Sequence, residues 1–499
     1  MKYSNPVIKG FYPDPSVCKV GDTYYLVCSS FQYFPGVPLF ESKDLINWKQ
    51  IGHCLTRESQ IHLEGINSSG GVFAPTIRYN NGRFYMTTTN DTTHQNFYVW
   101  TDDIYGEWSE PIFVEQGGID PSFYFESDKA YFMSNGSDDN GISGIVQCEI
   151  DIETGKKLTL SQTIWQGSGG RYLESPHLYK INEEYYLMAA EGGTEYGHMV
   201  TYARGLSPYG TFEAYPHNPV LTNRNLGGYE IQGVGHGDLI QDNKGNWWMI
   251  HLGFRQIGRW ATYHHLGREV FLTPVTFNEN GWFTAGNNGT TVKSFNMDYT
   301  NDSTVQQEKK SYTFGNTEWK KEWCYLRHPN IDNYDLKKDK VILKGTEVSL
   351  DQTASPTFIG IRQKDFYGCV SCDVSVNDCE AGITLYMDEN HHYDFAIRQT
   401  GNLFEVIERL NIGDIKSIEQ MLPLKNENKA TLVIHVYNDY YSFHIMADGK
   451  EVPLGIAHTR YLSSEVAGGF TGVIIGLYAY GVNCGNYAEF TNLRCEYFE

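Results

Sequence analysis

One arrangement of apolar and polar positions recurs along the first half of the chain. A short apolar stretch follows a Pro or Gly, a polar turn comes next, and an aromatic-rich run completes the copy. The copies are "DPSVCKVGDTYYLVCSS" from Asp14, "APTIRYNNGRFYMTTT" from Ala74, "DPSFYFESDKAYFMSN" from Asp120, "SPHLYKINEEYYLMAA" from Ser175 and "HGDLIQDNKGNWWMIH" from His236. Their starts lie 60, 46, 55 and 61 residues apart, and the aromatic run begins 10 or 11 residues after each start. Each copy reads as two strands joined by a tight turn such as "NNG", "NKG" or "VGD". Most are followed by a further strand and an ending such as "SKDLINW", "TDDIYGEW" or "ARGLSPYGTF". Short strands in five units, with almost no helical periodicity, predict a five-bladed β-propeller over residues 1–290.

Equivalent positions of such a fold converge on its axis. The residues heading the copies are Asp14, Ala74, Asp120, Ser175 (with Glu174 just before it) and His236. The repeat therefore predicts that three carboxylates and a histidine meet at one mouth of a central channel. Asp14 stands between two prolines in "FYPDPSV", which restricts the backbone on both sides of it and fixes its direction.

After "GWFTAGNNGTTVKSFNMDYTNDSTVQQEKK" the repeat stops, and residues 291–310 read as a polar linker. From 311 to 499 alternating runs return, among them "FYGCVSCDVSV", "EAGITLYM", "ATLVIHVYND" and "YYSFHIMADGKEV". Strands with regular turns and no helices predict a β-sandwich of jelly-roll or concanavalin-like type, so the whole chain reads as all-β.

Charge and composition narrow the ligand. A net charge of −21 repels a polyanion, which excludes nucleic acid as a natural partner. Aromatics at 14% suit the faces of sugars instead. The ten cysteines show no CxxC and no metal-like spacing, and read as buried thiols rather than as a disulfide or metal framework. No apolar run reaches the length of a membrane span. Folded structure is expected almost from the first residue, with no leader, so a cytoplasmic location is expected.

Glu174 lies in "GGRYLESPHLY", among Tyr172, Leu173 and Pro176, which would desolvate it and raise its pKa. One carboxyl kept protonated and one ionised is the apparatus of glycoside hydrolysis. A third acid can hold the proton donor in place and keep its pKa up.

"NPVIKGFYPDPSV", "GGVFAPTIRY", "GGIDPSFYF", "YLESPHLY", "GHGDLI", "HLGFR" and "LGREVFLTPV" together resemble glycoside hydrolase family 43, in its β-xylosidase and α-L-arabinofuranosidase branch. The resemblance runs over residues 4 to 285. It implies inversion at the anomeric carbon, with Asp14 as general base, Glu174 as general acid and Asp120 tuning Glu174. An inverting pair stands roughly 6.5–9.5 Å apart to admit a water. The resemblance further implies that Arg255 in "HLGFR" reaches sugar hydroxyls and acids, and that Phe31 and Phe73 line the terminal sugar pocket. In some relatives the equivalent of His236 contacts a calcium ion through waters, which makes His236 the candidate metal contact as well as a substrate neighbour. No cofactor is implied for the chemistry. Phe73 stands where related β-xylosidases often carry Trp, and "APT" where they carry "APD", which leaves the choice between xylose and arabinose open.

The second half resembles the sandwich attached to this branch, whose loop walls off the sugar pocket. By "GGFTG", Phe470 is the residue expected there. Such a wall implies an exo-acting enzyme that releases terminal β-D-xylose or α-L-arabinofuranose from oligosaccharides and has little action on polymeric xylan. Three alternatives stay open: a retaining fructan or sucrose hydrolase, a non-catalytic carbohydrate-binding propeller, and a sandwich that serves as an independent binding module. Dimers and tetramers are both compatible with the sequence.

Overall fold

The computed structural model describes residues 2–296, 312–314, 321–425, 427–482 and 485–498. Its first half consists of five four-stranded antiparallel sheets, each made of strands consecutive in the chain. Their first strands are Ser16–Val20, Thr76–Asn80, Ile119–Glu126, Glu174–Ile181 and Ile231–Gln241. Each of these strands contacts the next, and the fifth contacts the first, so they close a ring.

The aromatic runs are the second strands, and they are buried on both faces. In Thr23–Val27, Tyr24 and Leu26 pack with Trp248, Ile250 and Leu272 of the fifth sheet. Tyr25 and Val27 pack on the other side with Phe84 and Met86 of the second sheet. Three further apolar clusters join the second sheet to the third, the third to the fourth, and the fourth to the fifth. Period-2 alternation thus feeds a different interface with each successive residue, which is why these runs carry no polar face. Each such side chain contributes about 1.5–3 kcal/mol on full burial.

The chain then returns to its start: Ser294–Asn296 pairs antiparallel with Lys2–Ser4. The segment expected to be a linker from 291 therefore begins as ordered strand, with Thr291 fully buried. Residues 297–310 of that expectation lie outside the described residues.

The second half is a pair of antiparallel sheets, of seven and six strands. In the six-stranded sheet, Glu380–Asp388 is buried along its whole length, because one face meets the seven-stranded sheet and the other meets the first half. In the seven-stranded sheet, Gly368–Asn377 alternates buried and half-buried positions, which leaves its outer face to solvent. Main-chain pairing also crosses between the halves, since Tyr33–Phe34 pairs with Tyr325–Leu326. The nine described cysteines form no disulfide, and Cys484 lies outside the described residues. Among the described residues no helix is long and apolar enough to cross a membrane.

Candidate active site

Four of the five repeat heads share an unusual backbone. Asp14, Asp120, Ser175 and His236 have φ of 56°, 53°, 53° and 49°, in the left-handed region that side-chain-bearing residues avoid. In the third, fourth and fifth sheets the head sits in a break of register, between Ile119 and Ser122, Glu174 and His177, and Gly235 and Gly237. A bulge of this kind re-aims a side chain off the plane of its strand. Ala74 does not share the conformation, and the second sheet contributes no acid. The backbone N–H of Ser175 donates to Asp120 Oδ2 at 3.1 Å, which ties the segment carrying Glu174 to the neighbouring sheet.

The three carboxyls titrate apart. Burial pushes Asp14 up, but Arg268, His236, the Ser29 hydroxyl and His198 together outweigh it and hold the group below the ordinary aspartate value. Arg268 Nη1 donates to Asp14 Oδ1 at 2.8 Å, and Ser29 Oγ donates to the other oxygen. Glu174 is pushed up to about 7 by burial and then by the charge of Asp14, with Arg268 opposing. Asp120 lies well above its ordinary value through burial, then Glu174 and Asp14. One ionised acceptor therefore faces two acids that hold their protons near neutrality.

Arg255 does not take the place expected of it. Its Nε and Nη2 donate to Glu269 at 2.8 and 2.9 Å, its Nη1 to Asp365 at 3.0 Å and its Nη2 also to the Lys364 carbonyl at 3.0 Å. It fastens the second half to the first. The arginine that reaches the acids is Arg268, which also donates to Thr194 Oγ1 at 2.9 Å and whose buried Nη2 has no protein partner. The physical reason is alternation at the head of the strand Glu269–Phe277: Arg268 and Glu269 leave the chain on opposite sides, so Arg255, meeting Glu269, cannot also meet Asp14.

His236 is buried with Nδ1 3.7 Å from Asp14 Oδ1. The donors around it do not fit a calcium ion, which prefers six to eight oxygens. The carboxylate at hand already accepts from Ser29 and Arg268. Among the described residues, the one group of three His, Cys, Asp or Glu ligand atoms gathered within 4.8 Å lies elsewhere and excludes His236.

The expected aromatic residues do converge. Phe31 and Phe470 stack with centroids 5.4 Å apart, and Phe73 meets them edge-on at 5.8 and 5.9 Å. The Arg268 guanidinium lies 5.7 Å from the Phe31 ring centre and 5.1 Å from that of Phe470, so the aromatic wall and the acids share one arginine. Phe470 reaches this place because two glycines let the halves approach closely. A Cβ on Gly472 would lie 2.8 Å from the Leu266 carbonyl and 2.9 Å from Gly267 Cα. Ser69 Oγ accepts from the Phe470 N–H at 2.8 Å and fixes the loop from the other side.

Two supporting features escaped the sequence reading. Glu191, fully buried, accepts from the N–H groups of Ser168 and Gly170 at 2.7 and 2.5 Å, and from Thr201 Oγ1 at 2.8 Å. It thereby pins the loop that leads into Glu174. One layer deeper, two residues along from His236, Asp238 accepts from Arg78 at 2.8 and 3.1 Å and from Ser16 Oγ and Tyr179 Oη at 2.7 and 2.5 Å. This buried pair links four sheets directly beneath the acids. The repeat itself carried the signal, since residues two positions after each head must face inward again.

Residues 3–283 match the family described as Glycosyl hydrolases family 43, and residues 311–496 match the Beta xylosidase C-terminal Concanavalin A-like domain. A non-reducing end alpha-L-arabinofuranosidase of Bacteroides ovatus is 38% identical over 96% of this chain and 91% of its own. A xylosidase/arabinosidase of Butyrivibrio fibrisolvens is 35% identical over 99% of both chains. The solved structure of the Bacteroides ovatus "Xyloglucan PUL GH43B" superposes with a TM-score of 0.93 at 37% identity, covering 100% of both chains. A xylan beta-1,4-xylosidase of Bacillus halodurans gives 0.91 at 27%, again over 100% of both. The chain is a glycoside hydrolase. It belongs to glycosyl hydrolase family 43, whose glycosidases need no cofactor for catalysis.

Proposed function

We propose that the protein is an inverting, exo-acting glycosidase that releases terminal pentoses, β-D-xylose or α-L-arabinofuranose, from the non-reducing ends of oligosaccharides. In this reading residues 1–290 form a five-bladed β-propeller and residues 311–499 a sandwich that completes its pocket. The closed ring of five first strands and the five inter-sheet clusters support the propeller. The names of the full-length relatives support the pentose.

The observation that carries the mechanism is the opposite displacement of Asp14 and Glu174. Asp14, kept ionised by Arg268, takes a proton from a water as the water oxygen attacks the anomeric carbon. Glu174 gives its proton to the glycosidic oxygen as the bond from carbon to that oxygen breaks. Asp120 stays protonated and orients Glu174. The Arg268 Nη2 and the rings of Phe31, Phe73 and Phe470 hold the terminal sugar. The sandwich loop bearing Phe470 closes the pocket beyond one residue, which supports exo action.

The test is hydrolysis of a xylo-oligosaccharide and an arabinofuranosyl-substituted oligosaccharide, followed by ¹H NMR of the first-formed anomer. Release of single pentoses with inverted configuration, abolished in Glu174→Ala, is the expected result. Retention, or internal cleavage, would remove the proposed pairing of water and Asp14.

A further inference from the structure

The outermost face of the sandwich carries a second constellation unrelated to the acids. His435 lies near the end of the strand Lys429–Val436, His444 in the strand Tyr440–Ala447, and Glu451 at the start of Lys450–His458. These strands are successive neighbours at one edge of the seven-stranded sheet. His435 stands opposite Ser442, and His444 opposite Val433, so the two imidazoles are diagonal neighbours on one face. That face is the outer one, because the alternate residues Leu432, Ile434, Val436, Phe443 and Ile445 enter the core.

The three side chains already gather their donor atoms. Glu451 Oε2 is 2.7 Å from His435 Nε2 and 3.8 Å from His444 Nδ1, and all three ligand atoms lie within 4.8 Å of one another. A tetrahedral ion with bonds of about 2.1 Å spaces its ligands roughly 3.4 Å apart, so the two measured separations bracket that value. His444 has its other nitrogen occupied, with Ser442 Oγ 2.7 Å from Nε2. Such a bond fixes the ring and leaves one nitrogen to coordinate. That nitrogen, Nδ1, is buried and has no hydrogen-bond partner. A buried polar atom without a partner calls for a reason, and a bound cation supplies one.

We propose that His435, His444 and Glu451 form a three-ligand site for a divalent transition ion of the zinc class, open to solvent at its remaining position and separate from catalysis. Two imidazoles and one carboxylate suit zinc, cobalt or nickel, and suit calcium poorly. Bound there, the ion staples the edge strand Lys450–His458 to the two strands inside it. An edge strand is the part of a sheet most open to fraying and to pairing with other chains.

The experiment uses the full-length protein, stripped of metal and then titrated with Zn²⁺, Co²⁺ or Ca²⁺ while thermal unfolding is followed. Zn²⁺ at about 100 times its dissociation constant is expected to raise the melting temperature by a few degrees, and Ca²⁺ to leave it unchanged. Co²⁺ should add visible absorption of a four-coordinate ion. Both signals should vanish in His444→Gln, with pentose release unchanged. Should that variant fail to fold, Glu451→Gln keeps both imidazoles and should weaken binding at least tenfold. A melting temperature indifferent to Zn²⁺, or a shift that survives both substitutions, overturns the proposal.

Discussion

Arg268 donates from Nη1 to Asp14 Oδ1 at 2.8 Å, joining residues 254 positions apart and holding the base ionised. Replacing it with Gln removes the charge that outweighs the burial of Asp14. The Asp14 pKa then rises, and the acidic limb of the kcat/KM profile moves to higher pH. We expect a loss of about 10²-fold or more at neutral pH. Arg255→Gln is the control: it loosens the junction of the halves and lowers thermal stability, but leaves the position of that limb where it was.

Glu174 must be protonated to act, and its pKa is pushed up to about 7. Activity should therefore fall as pH rises through about 7. Asp14 supplies part of that displacement, so in Asp14→Asn the Glu174 carboxyl should titrate closer to 4.5, a change that difference infrared spectroscopy reads without turnover. Glu174→Gln should cost about 10²–10⁴-fold on an unactivated oligosaccharide and less on a nitrophenyl glycoside, whose leaving group needs no proton. An equal loss on both would take proton donation away from Glu174.

Phe470→Ala removes one ring of the Phe31, Phe73 and Phe470 wall, and should raise KM markedly in a folded protein. Gly472→Ala attacks the same wall from its backbone. Its new methyl would meet Phe11 Cβ at 2.7 Å and the Leu266 carbonyl at 2.8 Å, so the loop must withdraw. Similar KM increases in the two variants, with melting temperatures near wild type for Phe470→Ala, would assign the effect to the pocket. An unchanged KM would remove the loop from it.

Glu191 supports the general acid at one remove, through the backbone of Ser168 and Gly170. Glu191→Gln replaces one acceptor oxygen with a donor that faces N–H groups. The expected result is a lower kcat at little-changed KM, with the alkaline limb displaced because Glu174 is no longer held in its buried site. A fall in stability alone, with the pH profile intact, would make Glu191 a folding residue only.

Within the sandwich, Glu408 is buried, neither carboxylate oxygen has a partner, and burial followed by Glu419 pushes its pKa up to about 7. The native state thus holds this proton more tightly than the unfolded chain, whose glutamate titrates near 4.5. Stability should fall as pH rises from about 4.5 to 7 and level off above. Glu408→Gln should raise the melting temperature at pH 8 and leave it nearly unchanged at pH 4, with at most about 3 kcal/mol involved.

The repeat was legible because a strand buried on both faces has to be apolar throughout, and "TYYLV", "RFYM" and "NWWMI" carry that signature without reference to neighbours. Asp14, Asp120 and His236 followed from it, since one rule of placement governs every copy. Arg268 did not follow. Two arginines flank the last turn of the fifth sheet, and the choice between them rests on which way a strand end faces, a matter of register that spacing alone does not set. Gly253 opposite Glu269 settles it. Glu191 was hidden for a related reason: it works through main-chain N–H groups of a loop, which leave no residue-type signal. The Asp238 and Arg78 pair lay within reach, two positions past a predicted head in one sheet and four in another.

Lys2–Ser4 lying against Ser294–Asn296 means that the first half meets its own beginning before the chain departs for the sandwich. The ring is thus a finished object with a single exit, and what is attached at that exit can be exchanged without rerouting any of the five sheets. Yet one wall of the pocket, Phe470, is borne by the attachment. The acids that break the bond and the loop that judges the sugar therefore sit on parts of the chain free to change at different rates, so a lineage can acquire a new sugar preference by recombining or redrawing the cover while the hydrolytic centre stays as it is.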